Sequence, residues 1–128
     1  MTWKTKTLAE LCKMYQPQTL SKKQLKPEGK YSVYGANGII GKYNKYNHEE
    51  TQLLVTCRGA TCGSINISEP FSWINGNAMV IQPNKKEVSK KYIEYNFKGV
   101  INLSKIITGS AQPQITRESL NPVLISYP

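Results

Sequence analysis

The chain has 128 residues, and its 17 Lys and Arg face eight acidic residues, for a net charge of +9 and a pI near 9.5. That length supports one domain with a single core, and the charge favours a polyanionic partner, nucleic acid or an anionic membrane surface. All eight acids are Glu and His48 is the only histidine, which excludes a Ser-His-Asp triad and leaves any magnesium site to scattered carboxylates. Cys12, Cys57 and Cys62 are odd in number and lack C-x-x-C spacing. Reduced, partly buried thiols therefore account for them better than a zinc site shared with His48. No apolar run approaches transmembrane length and no charged-then-apolar leader opens the sequence, so the expected location is cytoplasmic. No catalytic residue, metal or cofactor is expected of the chain itself.

The first predicted element is "TLAELCKMY", where Thr7 and Glu10 have capping-box spacing and Leu8, Leu11, Cys12 and Tyr15 recur at helical intervals. Pro17 ends it. "SKKQLKPEG" starts in the same way at Ser21 and Gln24 and is stopped by Pro27 and Gly29, with Lys22, Lys23 and Lys26 decorating about a turn and a half. From Tyr31 the pattern becomes strand-like, over Tyr31 to Tyr34, Ile39 to Tyr46, Gln52 to Cys57, Cys62 to Ile67 and Ala78 to Gln82, with Asn and Gly at nearly every junction. A helix is predicted from Ser89 to Lys98, with Tyr92, Ile93 and Phe97 as its apolar stripe. The tail reads as a loop, a short helix capped by Thr116 and the strand-like "PVLISYP". The expected fold class is α+β: a single domain with a curved, mostly antiparallel β-sheet flanked by short helices.

The stretch "VYGANGIIGKYNKYN" places Gly35, Gly38 and Gly41 three residues apart. A dinucleotide fingerprint needs G-x-G-x-x-G between strand and helix, and a KH loop needs G-x-x-G between helices; here both flanks are strand-like. The expected local structure is a hairpin, with Asn37-Gly38 in a type I′ turn and Gly35 and Gly41 at bulges or close backbone approaches.

The residues that follow carry chemistry suited to nucleic acid. Lys42 and Lys45 can neutralise phosphates, Asn44 can pair with a base edge, and Tyr43 and Tyr46 can contact the sugar-phosphate chain; the same alternation also fits the solvent face of a hairpin. In "TCRGATCGSI", Arg58 stands at a Gly-containing turn, where it can reach guanine in a groove or form an ion pair with a Glu. Arg117, the only other arginine, poses the same choice after "QPQIT", where Gln112 and Gln114 flank Pro113 and can bond the backbone or a base edge.

Taken together and in order, "VYGANGIIGKYNKYN", "LLVTCRGATCGSI", "GNAMVIQP" and "IITGSAQPQITRESLNPVLISYP" resemble a target recognition domain of the type I restriction-modification specificity (S) subunit. The opening "WKTKTLAELCKMYQP" resembles the usual start, and the likeness covers essentially the whole chain. The resemblance implies a non-catalytic, sequence-specific module that reads one half of a bipartite double-stranded DNA target in bacterial defence. It implies adenine-N6 methyltransferase subunits and translocating restriction subunits as partners, with S-adenosylmethionine, ATP and Mg on those partners only. A full S subunit carries two such domains and is about three times as long; residues 1–128 are expected to be one recognition domain without its spacer helix. Reading surfaces vary within such a family, so the shared Gly35, Gly38, Gly59, Gly63, Gly76 and the "SAQPQIT" loop are expected to be framework. The expected DNA contacts are Lys22, Lys23, Lys42, Tyr43, Asn44, Lys45, Tyr46, Arg58, Thr61, Asn75 and Arg117. Two other readings stay open: a protein-docking module using exposed aromatics such as Trp3 and Trp73, and an RNA binder stacking bases on Tyr34, Tyr43 and Tyr46.

Overall fold

Thr7 and Glu10 close the predicted capping box: the Thr7 hydroxyl accepts from Glu10 N and the Glu10 carboxylate accepts from Thr7 N. In this computed structural model, which describes residues 2–107 and 112–128, the helix that follows is a single turn. It is preceded by strand β1 (Lys4–Thr7), occupies Leu8–Leu11 (α1) and gives way at once to strand β2 (Cys12–Tyr15). The expectation of one continuous helix here is corrected. Residues 12 to 15 satisfy helical spacing with Leu8 and Leu11, but they also alternate, with Cys12 and Met14 buried and Lys13 exposed. Pairing with a neighbouring strand decides for the alternation.

The remaining strands are β3 (Tyr31–Gly35), β4 (Gly38–Tyr43), β5 (Leu53–Thr56), β6 (Ile65–Ile67), β7 (Trp73–Ile74), β8 (Ala78–Pro83) and β9 (Leu124–Tyr127). They form three sheets: a β1–β9 ribbon, a four-stranded sheet ordered β2-β8-β5-β6 and a three-stranded sheet ordered β4-β3-β7. All pairings are antiparallel except β3 with β7. The α+β, mostly antiparallel class holds, but three sheets replace the expected one.

The reason lies in β5 and β8, whose Leu53–Thr56 and Ala78–Ile81 are buried without a break. Such runs need cover on both faces. Leu53, Val55, Met79 and Ile81 face one core with Leu8, Leu11, Leu120 and Ile125, into which helix α2 (Lys90–Gly99) inserts Ile93 and Phe97. Leu54, Ala78 and Val80 face a second cluster with Tyr34 and Ile74 of the three-stranded sheet. One sheet with flanking helices could cover only the first face.

Helix α2 begins where predicted, its cap Ser89 accepting from Tyr92 N. Lys22–Gln24 forms a 3-10 turn, and the last helix, α3 (Arg117–Leu120), is capped by Thr116, which accepts from Ser119 N. Among the described residues no helix is long and apolar enough to cross a membrane.

The β3–β4 hairpin forms, though not with the expected turn. Gly35 pairs with Gly38, so Ala36 and Asn37 make the turn, and the positive φ, +114°, falls on Gly38 instead of on them. A type I turn closed by a glycine bulge has this pattern, and a type I′ turn does not. A register shift between Val33 and Tyr34 puts Ile40 out of step, and a Cβ on Gly35 would lie 2.7 Å from Ile40 Cγ2. Gly35 and Gly41 thus stand beside a bulge, as their spacing suggests.

Candidate nucleic-acid interface

Four chain segments meet at the end of strand β5 and form a surface tip on which Arg58, Gly59 and Gln114 are exposed. Cys57 N donates to Asn77 O at 3.2 Å, and Ile115 N donates back to Cys57 O at 2.9 Å. Gly59 N donates to Pro113 O at 3.0 Å, and Thr56 Oγ1 donates to Ala36 O at the tip of the β3–β4 hairpin. The chain before and after Arg58 is therefore held on both sides. Arg58 and Gln114 face each other across an antiparallel bridge. Their neighbours Cys57 and Ile115 are buried, so by strand alternation Arg58 and Gln114 point outward, and both are exposed.

The pair lies between two adjoining clefts and lines both. One, of about 350 Å³, is completed by Tyr15, Gln16, Arg117 and Glu118 among others. The other, of about 470 Å³, is completed by Ala36, Asn77, Gln112 and Pro113 together with Gly59. Gln16 is a frame residue: its amide donates to Gly76 O at 3.0 Å and to Cys57 Sγ at 3.3 Å. Burial pushes the Cys57 thiol up, partly offset by the Gln16 hydrogen bond and the Arg58 charge.

A second charged surface is built on the hairpin's far end and the 3-10 turn packed against it. Lys26 N donates to Lys42 O at 2.7 Å, Leu25 packs on Gly41, and Gly29 lies against the Tyr43 backbone. Lys22, Lys23, Lys26, Lys30, Lys42 and Lys45 thus share one structural unit, and Glu28 is the only acid among residues 21–47. Three ion pairs occur among the described residues: Lys6–Glu87 (3.6 Å), Lys85–Glu50 (3.3 Å) and Lys98–Glu94 (2.7 Å). None involves those six lysines, Arg58 or Arg117. The ion-pair alternative for the two arginines is absent among the described residues.

Of the residues expected from sequence to touch DNA, Arg58 and Arg117 converge on one cleft, and the exposed Thr61 shares the turn that follows Arg58. Lys22, Lys23, Lys42, Asn44 and Lys45 are exposed on the lysine-rich unit. Tyr43 and Tyr46 are tied into an aromatic cluster: Tyr43 packs edge-on against Trp73 at 5.5 Å, and Tyr46 does so against Tyr31 at 5.0 Å and Phe71 at 5.2 Å. With Tyr34 only 6% exposed, the three tyrosines offer no common stacking platform for single-stranded bases.

Asn75 departs from the expectation. It is 2% exposed, and its Oδ1 accepts from Leu20 N at 2.9 Å, which makes it a bracket between segments and not a surface contact. Of the "SAQPQIT" loop, Ser110 and Ala111 lie outside the described residues; the rest both braces the end of β5 and presents Gln114. The Q-P-Q pattern marks Gln112 and Gln114 as able to bond the backbone or a base edge, but with the loop expected to be framework neither stands among the expected DNA contacts.

Comparison with known proteins fits this geometry. Residues 1–128 match the family described as Type I restriction modification DNA specificity domain. The fold resembles the S subunit of a type I restriction-modification system from M. genitalium, with a TM-score of 0.83 and 19% identity over 98% of this chain and 34% of that one. It also resembles the HsdS subunit from Thermoanaerobacter tengcongensis, with a TM-score of 0.64 and 16% identity over 98% and 33%. A chain from a structure concerning complex assembly and conformational transition of the type I R-M system gives 0.74 and 18% over 98% and 34%. This chain spans about a third of the length of each. No curated protein matches it.

Proposed function

This chain belongs to the type I restriction-modification DNA specificity domain family, and from that premise we propose that it reads one half of a bipartite duplex target through the tip that carries Arg58. The observation that supports this reading is convergence: the only two arginines of the chain line one cleft, and neither is spent on an ion pair among the described residues. Arginine supplies the commonest specific contact to a base edge. The lysine-rich hairpin unit supplies phosphate contacts, which fix register and affinity without reading sequence.

In this reading the chain is a non-catalytic, cytoplasmic component. Adenine-N6 methyltransferase and restriction subunits are its partners and bind S-adenosylmethionine, ATP and Mg themselves. Residues 1–128 act as one recognition domain.

Selection from random duplex DNA at about 100 mM salt, an ionic strength that suppresses much of the purely electrostatic binding, tests the proposal. The expected result is one short, non-palindromic motif. Retention without any motif, or displacement of the duplex by single-stranded RNA, would refute it.

A further inference from the structure

We propose that Arg58 and Gln114 act as a coupled pair that reads two adjacent base pairs, Arg58 a G·C pair and Gln114 the A·T pair next to it. This rests on the reading of the chain as a DNA specificity domain and adds the identity of two bases within its half-site.

The geometry of the bridge carries the assignment. Two hydrogen bonds bracket the pair, Ile115 N to Cys57 O and Gly59 N to Pro113 O, while Arg58 and Gln114 are opposite each other between them. That is the non-hydrogen-bonded position of an antiparallel ladder, where opposed Cα atoms approach to about 4.5 Å and the side chains are at their closest. Successive bases along a strand of B-DNA are about 3.4 Å apart. Two long side chains leaving the backbone side by side at about that interval match neighbouring base pairs better than distant ones.

Chemistry assigns the bases. A guanidinium forks onto O6 and N7 of guanine, and a primary amide pairs with N6 and N7 of adenine. The backbones beneath are fixed, since Cys57 is fully buried and Ile115 is 2% exposed, so the pair is presented from a rigid base. The neighbouring amide of Gln16 is turned inward onto Gly76 O and Cys57 Sγ.

The test repeats the selection with two exposed-site variants of the full chain. Arg58→Gln is expected to move the preference at one position from G·C to A·T. Gln114→Glu is expected to replace A·T by C·G at the adjoining position, because a carboxylate accepts from cytosine N4. Each wild-type preference should fall by about 5- to 150-fold. Arg58→Lys, which keeps the charge and loses the fork, should weaken discrimination at the same position as Arg58→Gln. Shifts at two positions that are not adjacent would overturn the pairing while leaving the DNA-reading role in place; equal losses for all sequences would overturn both the pairing and base reading by this tip. If the wild-type chain selects no motif, both fall.

Discussion

The Tyr15 hydroxyl and Nε2 of His48, the only histidine, lie 2.6 Å apart, and the contact on the other ring nitrogen decides which of the two donates. Asn47 Oδ1 already accepts from Ile74 N at 2.9 Å, so His48 Nδ1, 2.7 Å from the same oxygen, must be the donor there. In the neutral ring Nε2 is then the unprotonated nitrogen and accepts from the Tyr15 hydroxyl. The Tyr15 hydroxyl in turn accepts from Gln82 Nε2, which also reaches Gln52 Oε1. This polar chain runs between the two larger sheets and reaches Tyr15 on the wall of the Arg58 cleft.

Burial lowers the His48 pKa below 6.5. The unfolded chain takes up a proton near 6.5, whereas the folded chain resists it, so stability present above that pH declines as the pH falls through 6.5 toward the folded value. Urea midpoints measured from pH 8 to pH 5 should fall for the wild-type chain and show a flatter pH dependence for His48→Gln. Equal slopes for the two would remove His48 as the cause.

The lysine-rich unit should act on affinity without acting on choice. Lys42→Ala with Lys45→Ala is expected to weaken binding to all duplexes alike and to reduce the log–log salt slope by up to about 2, since each neutralised phosphate contributes about 0.9. Lys22→Ala should remove about one phosphate's share. Binding measured at several salt concentrations on two unrelated duplexes checks this; a loss confined to one duplex would contradict it.

Gly76 is held by space. A Cβ there would stand 2.5 Å from Pro17 O and 3.0 Å from Thr19 Oγ1, whose hydroxyl accepts from Gly76 N at 2.9 Å. Gly76→Ala should therefore cost about 1–3 kcal/mol. Gly99→Ala, which meets nothing within 4 Å at the end of α2, should be neutral or slightly stabilising. Comparable losses for both would show that the backbone around Pro17 can yield.

The cysteines should differ in reactivity. Burial raises the Cys12 thiol to about 12 and raises Cys57 and Cys62 as well, but only Cys62 is partly exposed. Thiolate, not thiol, is alkylated. Native-state labelling at pH 8 should modify Cys62 first and the buried Cys12 and Cys57 only later; early labelling of either buried thiol would contradict its place in the core.

Much of this was legible in the sequence where signals are local. Ser89 and Thr116 announced their helices, and the Asn and Gly clusters marked the hairpin and the end of β5. What escaped depends on partners far along the chain. The polar "KTKT" of β1 has no apolar alternation and is a strand because β9 pairs with it. Residues 12 to 15 fit two periods, and β8 chooses between them. Asn75 reads as a turn residue, yet it is buried because Leu20 N needs its oxygen. At the end of β5, Arg58 is visible in the sequence as an arginine beside glycine, whereas Gln114 becomes its neighbour only when residues 113 to 115 pair with that end.

The most direct measurement compares the affinity of the wild-type chain and of Arg58→Ala for the selected duplex and for a scrambled one of equal length. The wild-type chain should prefer the selected duplex, and Arg58→Ala should lose about 1–3 kcal/mol of that preference while binding the scrambled duplex nearly as before. Equal weakening on both duplexes would mean that Arg58 only neutralises phosphate and that the tip does not read bases.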